Sequence, residues 1–213
     1  MDSQLQPLLA QFQAMSHWEY LAVALAIAYL WLAMRQSIWC WPAAFISTLI
    51  YTLIFWNVAL LSEALLQLYY LGMAVYGFWL WHQRPSQQQP LAICSWGWPR
   101  HLLLIVSCSL ASLLLGWLMA HYTHADYPYL DAATSCFAVI TTWLVARKVL
   151  ENWIYWLVID SVSIYLYLAK GLELTAGLFV LYLVMVVIGY WRWRQQWQQQ
   201  QDTGEANGQL AIA

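Results

Sequence analysis

Two tryptophans and an aspartate, Trp153, Trp156 and Asp160, stand in the otherwise apolar stretch "ENWIYWLVIDSVSIYLYLAKG". At 100° per residue they share a helical sector of about 80° with Ser163 and Tyr167. Two indoles and a carboxylate on one face suit a flat cationic ring, which the indoles would stack on and the carboxylate would neutralise. Asp160 lies eight residues after Asn152 and ten before Lys170, near the middle of an apolar span. A bare carboxylate at that depth in a bilayer costs about 3 kcal/mol, so it requires a cavity or a partner. All eight lysines and arginines lie at the ends of apolar stretches. A bound cation or water is then the expected partner, with a hydrogen-bonded structural aspartate as the alternative. Asn152 joins the candidate set at the head of the same stretch. Glu63, Gln67, Tyr70, Ala74 and Trp81 make a second face at the same pitch, on which the Gln67 amide either reads a ligand edge or bonds a neighbouring helix.

The elements that must position these groups follow from composition. Of 213 residues, 63% are hydrophobic and only 8% charged, which exceeds the apolar share of a soluble domain. Mean hydropathy is +0.56, the signature of an all-α integral membrane protein. Seven stretches approach the length of about 20 apolar residues that a spanning helix needs: 17–34, 37–58, 60–82, 102–122, 130–147, 152–170 and 172–193. Sixteen Trp and fourteen Tyr are more than two interfacial belts require, which leaves rings for stacking. A net charge of −2 with scattered basic residues offers no nucleic-acid surface, and Cys40, Cys94, Cys108 and Cys136 show no metal spacing and read as packing residues. His121, His124 and Asp126 lack a fourth ligand, so no metal and no cofactor is expected. Residues 1–16 carry no basic leader region and are expected to form an amphipathic surface segment. The polar residues 194–213 are expected to be an unstructured tail.

Placing the N-terminus outside puts Arg35, Arg84, Arg100, Arg147, Lys148, Arg192 and Arg194 on the cytoplasmic side and leaves only Lys170 outside. An odd number of spans follows. "YYLGMAVYGFWLWHQ" (69–83) aligns with "LYLVMVVIGYWRWRQ" (181–195) at an offset of 112, and Arg35 pairs with Arg147 at the same offset. An offset of 114 pairs Trp39 with Trp153, Ser47 with Ser161, Ile50 with Ile164 and Tyr51 with Tyr165. The organisation expected is therefore 3+1+3: repeat one over 17–82, a cytoplasmic loop over 83–101, an inverting linker helix over 102–122, and repeat two over 130–193. Parallel repeats of this kind place a substrate site near the midplane between them. Pro42 is expected to kink the second helix, and Asp131 and Glu151 to cap the helices they precede.

"SIWCWP", "SEALLQLYYLGMAVYGFWLW", "PYLDAATS", "ARKVLENWIYWLVIDSVSIYLYLAKGL" and "LTAGLFVLYLVMVVIGYWRW" together resemble the PnuC family of bacterial vitamin transporters over about residues 20–195. The resemblance implies a SWEET-like fold and a homotrimer in the bacterial inner membrane. It implies uptake of an unphosphorylated B-vitamin by facilitated diffusion, with a cytoplasmic kinase trapping the vitamin afterwards. It assigns an aromatic clamp to Trp153 and Trp156 and a ligand-reading amide to Gln67. Where nicotinamide riboside members are associated with asparagine, this chain has Asp160; a carboxylate suits the aminopyrimidine of thiamine, so thiamine is the first expectation and nicotinamide riboside the second. Of other classes, a retinal receptor lacks a mid-membrane lysine, which leaves a ligand-sensing seven-helix receptor. An intramembrane hydrolase lacks a Ser/His or HExxH arrangement, so no enzyme is expected. Proton coupling through Asp160 stays open.

Overall fold

The computed structural model describes residues 17–57, 61–83, 91–123 and 126–210. The surface segment expected over 1–16, Arg84 and His124 lie outside the described residues, as does the side chain of Glu63. The described residues form seven helices: α1 (His17–Met34), α2 (Cys40–Asn57), α3 (Leu61–His82), α4 (Trp98–Tyr122), α5 (Pro128–Ala146), α6 (Asn152–Ala169) and α7 (Glu173–Leu210). Four of them, α1, α4, α5 and the 173–203 part of α7, are long and apolar enough to cross a membrane by length and composition.

Three helices end in the same way. At the close of α6, Gly171 takes a left-handed φ of 70° while Leu172 N–H reaches back to the Tyr167 carbonyl at 2.8 Å, which satisfies the last carbonyls of the helix. The ends of α1 and α5 make the same turn without glycine. Gln36 (φ 54°) and Lys148 (φ 52°) occupy the left-handed position, with Ser37 N–H to Leu32 O and Val149 N–H to Leu144 O each at 3.0 Å. A side chain in this conformation costs about 1 kcal/mol relative to glycine.

Several boundaries depart from expectation. α2 begins at Cys40 rather than 37 because the turn at Gln36 occupies the intervening residues. Pro42 thereby falls in the first turn, where its missing N–H breaks no helical bond, so the expected kink is corrected. α4 starts at Trp98 on an extended Gly97 with Pro99 in its first turn, four residues before the expected 102. Glu151 does not cap α6 with its side chain. It turns to the segment before α4, accepting hydrogen bonds from Ser95 Oγ and from Trp96 N–H (3.3 Å). A two-bond backbone bridge joins the same segment to the α5–α6 turn: Cys94 N–H to Lys148 O, 3.0 Å, and Leu150 N–H to Cys94 O, 2.8 Å. Asp131, in the first turn of α5, makes no cap either; it pairs with Lys170 Nζ at 3.0 Å. The expected unstructured tail is also corrected, since α7 runs on to Leu210. Gln is a good helix former, and Trp197 and Gln196 anchor the extension against the bundle.

Packing follows a closed circuit. α1 lies against α2 and α7, α3 against α2 and α5, and α6 against α5 and α7, while α4 packs along α5 and reaches α6 through His101, whose Nδ1 lies 3.0 Å from the Tyr155 hydroxyl. Two buried clusters hold the circuit together, one around Trp41, Met73 and Val145 and one around Trp153, Met185 and Trp193. Their contacts recur at a separation of 112, the separation of Gln36 from Lys148. Trp41 lies over Gly77 and meets Trp81 edge-on (5.4 Å, 85°); Trp153 lies over Gly189 and meets Trp193 edge-on (5.3 Å, 85°). Arg35 covers Trp31 as Arg147 covers Trp143. In α2 and α6 the register is thus Trp41 with Trp153, which corrects the pairing of Trp153 with Trp39 at 114; Trp39 is 69% exposed and takes no such place.

Candidate substrate-binding site

α6 turns Trp153, Trp156 and Asp160 into one cavity of about 170 Å³. Their i, i+3, i+7 spacing puts them on a single stripe, and α1, α5 and α7 close the space with Tyr29, Ala33, Val145, Phe179 and Tyr182. Asp160 is 3% exposed, and no ion pair reaches it among the described residues. The cavity therefore joins aromatic faces to one buried carboxylate without a protein cation.

Trp153 serves both the core and the cavity. It is 2% exposed and lies so close over Gly189 that a Cβ there would meet its six-membered ring at 2.6 Å. Its Nε1 is buried without a hydrogen-bond partner among the described residues. Trp156 is half-buried and packs against both buried clusters.

The remaining candidates fall elsewhere. Ser163 is buried beyond the cavity, and Tyr167 packs behind its wall with its ring 5.0 Å from Phe179. Asn152 is fully buried at the head of α6, where its Nδ2 donates to the Val149 carbonyl at 2.6 Å, a turn-closing bond. Gln67 is half-buried on α3, outside the wall of this cavity, and Tyr70 sits edge-on to Tyr69, whose hydroxyl donates to Val139 O at 2.8 Å. The second face thus meets α5 across Tyr69 and does not reach Asp160 here. A larger cavity of about 720 Å³ flanks α4, α5 and α6; His101, Thr134, Glu151 and Tyr155 border it among apolar side chains, and it includes neither tryptophan of the α6 stripe nor Asp160.

The sequence model of the family described as nicotinamide mononucleotide transporter matches residues 16–195. The chain belongs to that family, the PnuC family of transporters. Among its relatives, the riboflavin/roseoflavin transporter RibM of Streptomyces davaonensis is 24% identical over 165 residues, 76% of this chain and 77% of RibM. The nicotinamide riboside transporter PnuC of Escherichia coli is 21% identical over 151 residues, 59% of this chain and 63% of that protein. The fold is similar to the crystal structure of the vitamin B3 transporter PnuC, with a TM-score of 0.71 and 20% identity over 92% of this chain and 88% of that one. With its several apolar helices, this PnuC family member is a multi-pass membrane protein.

Sequence reasoning did not find the α1 and α7 wall of the cavity. Tyr29 and Phe179 are two among several aromatics in apolar helices and carry no signal of their own. Tyr182 falls opposite Tyr70 in the alignment of 69–83 with 181–195, but that alignment marks a repeat and not a site.

Proposed function

We propose that this PnuC family member takes up an unphosphorylated, cationic B-vitamin, with thiamine as the substrate the cavity suits best. One observation carries the reading: a buried carboxylate, Asp160, shares a cavity with Trp153, Trp156 and Tyr182 and has no lysine or arginine paired with it among the described residues. A flat cation would satisfy both features through cation–π contact and charge pairing. The aminopyrimidine of thiamine can in addition donate its amino hydrogen to the carboxylate. Nicotinamide riboside is the second reading, favoured by the likeness to PnuC transporters. The isoalloxazine ring of riboflavin, the substrate named for RibM, is flat but uncharged and would leave Asp160 uncompensated.

In this reading all seven helices span the membrane, with the N-terminus outside and the C-terminus cytoplasmic. α1–α3 and α5–α7 are parallel repeats joined by α4, within the homotrimer that the family resemblance implies. The contacts recurring at 112 and the matched packing of α1 on α7 and α3 on α5 support the repeats. A cavity of about 170 Å³ is tighter than the roughly 300–1,000 Å³ of small-molecule sites. Admitting the vitamin then means moving the repeats apart around it, which is facilitated diffusion by rocking. Phosphorylation in the cytoplasm would trap the product.

Calorimetric titration of the detergent-purified protein with thiamine, nicotinamide riboside and riboflavin tests this reading. We expect saturable thiamine binding that Asp160→Ala weakens at least a hundredfold, about 2.7 kcal/mol. Asp160→Asn should shift preference toward nicotinamide riboside. Thiamine affinity undiminished in Asp160→Ala, or binding of riboflavin alone, overturns it.

A further inference from the structure

Side-chain hydrogen bonds join the two halves of the bundle at the end that carries Arg35, Arg147 and Arg192, beneath the cavity. Ala33 and Val145 border the cavity on that side, and three residues further along each chain stand Gln36 and Lys148. Lys148 is 6% exposed, donates from Nζ to Gln36 Oε1 at 2.9 Å, and lies 4.5 Å over the Trp81 ring. Gln36 in turn bonds Gln196 of α7. Two indoles complete the crossing: Trp81 Nε1 donates to Ala146 O at 2.9 Å and Trp193 Nε1 to Ala33 O at 3.1 Å. Each of these bonds joins one of α1–α3 to one of α5–α7 or to the turns at their ends. Away from this end, the Tyr69 hydroxyl donates to Val139 O at 2.8 Å between α3 and α5.

The turns that present Gln36 and Lys148 deepen the point. Both residues hold the left-handed position that Gly171 fills in the third such turn, so the backbone tolerates side chains where glycine is easier. The two side chains meet each other at equivalent places in the two halves. A buried ammonium facing an amide, an indole and the Cys40 thiol, with no carboxylate in contact among the described residues, is a contact that separation of the halves would hydrate and relieve.

We propose that Gln36, Lys148, Trp81 and Trp193 form the gate that closes the cavity toward this end of the bundle, and that the structure shows this gate shut. The proposal rests on the transport reading, because a gate implies passage. Opening it separates α1 from α7 and α5 from α3, breaks the Lys148–Gln36 bond and both indole–carbonyl bonds, and exposes the floor residues. Weakening any of these bonds raises the open population without touching Asp160.

Cys40 reports on the gate directly. It is fully buried at the head of α2, in one cluster with Ala33, Val145 and Ala146, and opening uncovers it. With Cys94 and Cys136 replaced by serine, Cys40 is titrated with a membrane-impermeant maleimide in substrate-free proteoliposomes, and Cys108, buried on α4, serves as the internal control. Gln36→Leu removes the amide, and Trp81→Phe removes the indole N–H while keeping a ring. Each is expected to speed Cys40 modification at least tenfold with Cys108 still protected. Unchanged Cys40 rates in both variants overturn the gate, and so does an equal rise at Cys108, which would mean general loosening. No vitamin enters the assay, so its failure leaves the substrate reading standing, and absence of vitamin binding leaves the Cys40 result standing.

Discussion

Gly189→Ala is the sharpest test of how the cavity is built. The added Cβ would meet three atoms of the Trp153 ring at 2.6, 2.6 and 2.8 Å, against a carbon–carbon optimum of about 3.5–4.0 Å. Ring or helix must therefore yield by about 1 Å. Trp153 cannot retreat into the core, where Trp193 stands edge-on at 5.3 Å and Met34, Ile93, Leu150, Met185 and Val186 complete the cluster. Its open side is the cavity, so the ring advances on the space beside Asp160. Overpacking of this kind costs about 1–3 kcal/mol, and at about 2–4 °C per kcal/mol for a chain of this size the melting temperature should fall by about 2–12 °C. Ligand affinity should fall at least tenfold as well. Gly77→Ala supplies the control. Its Cβ would meet Trp41 at 2.3–2.5 Å, the same collision in the other half, yet Trp41 does not border the cavity. Thermal unfolding and calorimetric titration of both variants separate the two effects. We expect a comparable loss of stability in each and a loss of affinity in Gly189→Ala alone. Equal loss of affinity in both, or no loss of either kind in Gly189→Ala, would refute the placement of Trp153 as a shared wall.

Two further outcomes follow from groups outside the spans. Glu151→Ala removes the acceptor of Ser95 Oγ and Trp96 N–H and should cost about 1–3 kcal/mol, with faster hydrogen exchange confined to residues 91–97; unaltered exchange there would show that the backbone bridge at Cys94 suffices. Burial pushes the Lys148 amine down to about 8, so between that pH and about 10.4 the unfolded chain binds more protons than the folded one and stability rises with pH. The rise from pH 8 to pH 9.5 should reach about 1–2 kcal/mol in the native chain and be absent in Lys148→Met. Parallel stability curves for the two would show that Lys148 is not held as its burial implies.

Much of this was legible in the sequence because membrane helices must be long and apolar. Six of the seven expected spans begin and end within about four residues of helices in the structure. The Trp153–Trp156–Asp160 stripe was legible because helical pitch alone puts those positions together. The register of α2 on α6 was not. In sequences dominated by Trp, Ile, Leu and Tyr, chance identities at 114 compete with the true contacts at 112, and only the fit of Trp41 over Gly77 and Trp153 over Gly189 decides between them. The run of α7 to Leu210 was hidden for a related reason. Its Gln-rich segment has no apolar face to detect, and what holds it is tertiary, through Trp197 and Gln196. Gln67 illustrates the limit of reading one helix at a time. It shares a pitch with Tyr70 as the α6 residues share theirs, but α3 packs on α2 and α5, which leaves it off the wall of Asp160.

The contacts that recur at 112 also show where the chemistry cannot be. Matched pairs carry the frame: Trp41 and Trp153, Gly77 and Gly189, Trp81 and Trp193, Arg35 and Arg147. The positions equivalent to Trp156 and Asp160 in the first half are Ala44 and Thr48, which have neither an aromatic face nor a charge. A site made from the frame would appear twice; one made from Trp156 and Asp160 can appear only once, on α6. Symmetry can therefore serve movement while asymmetry serves recognition. If the proposed repeats rock about the Gln36–Lys148 contact, the ligand rides with the α6 wall, and the first half supplies the opposing surface of Ala26, Tyr29, Leu30 and Ala33. Substrate preference in such a frame can change through Trp156 and Asp160 without disturbing the paired tryptophans of the frame.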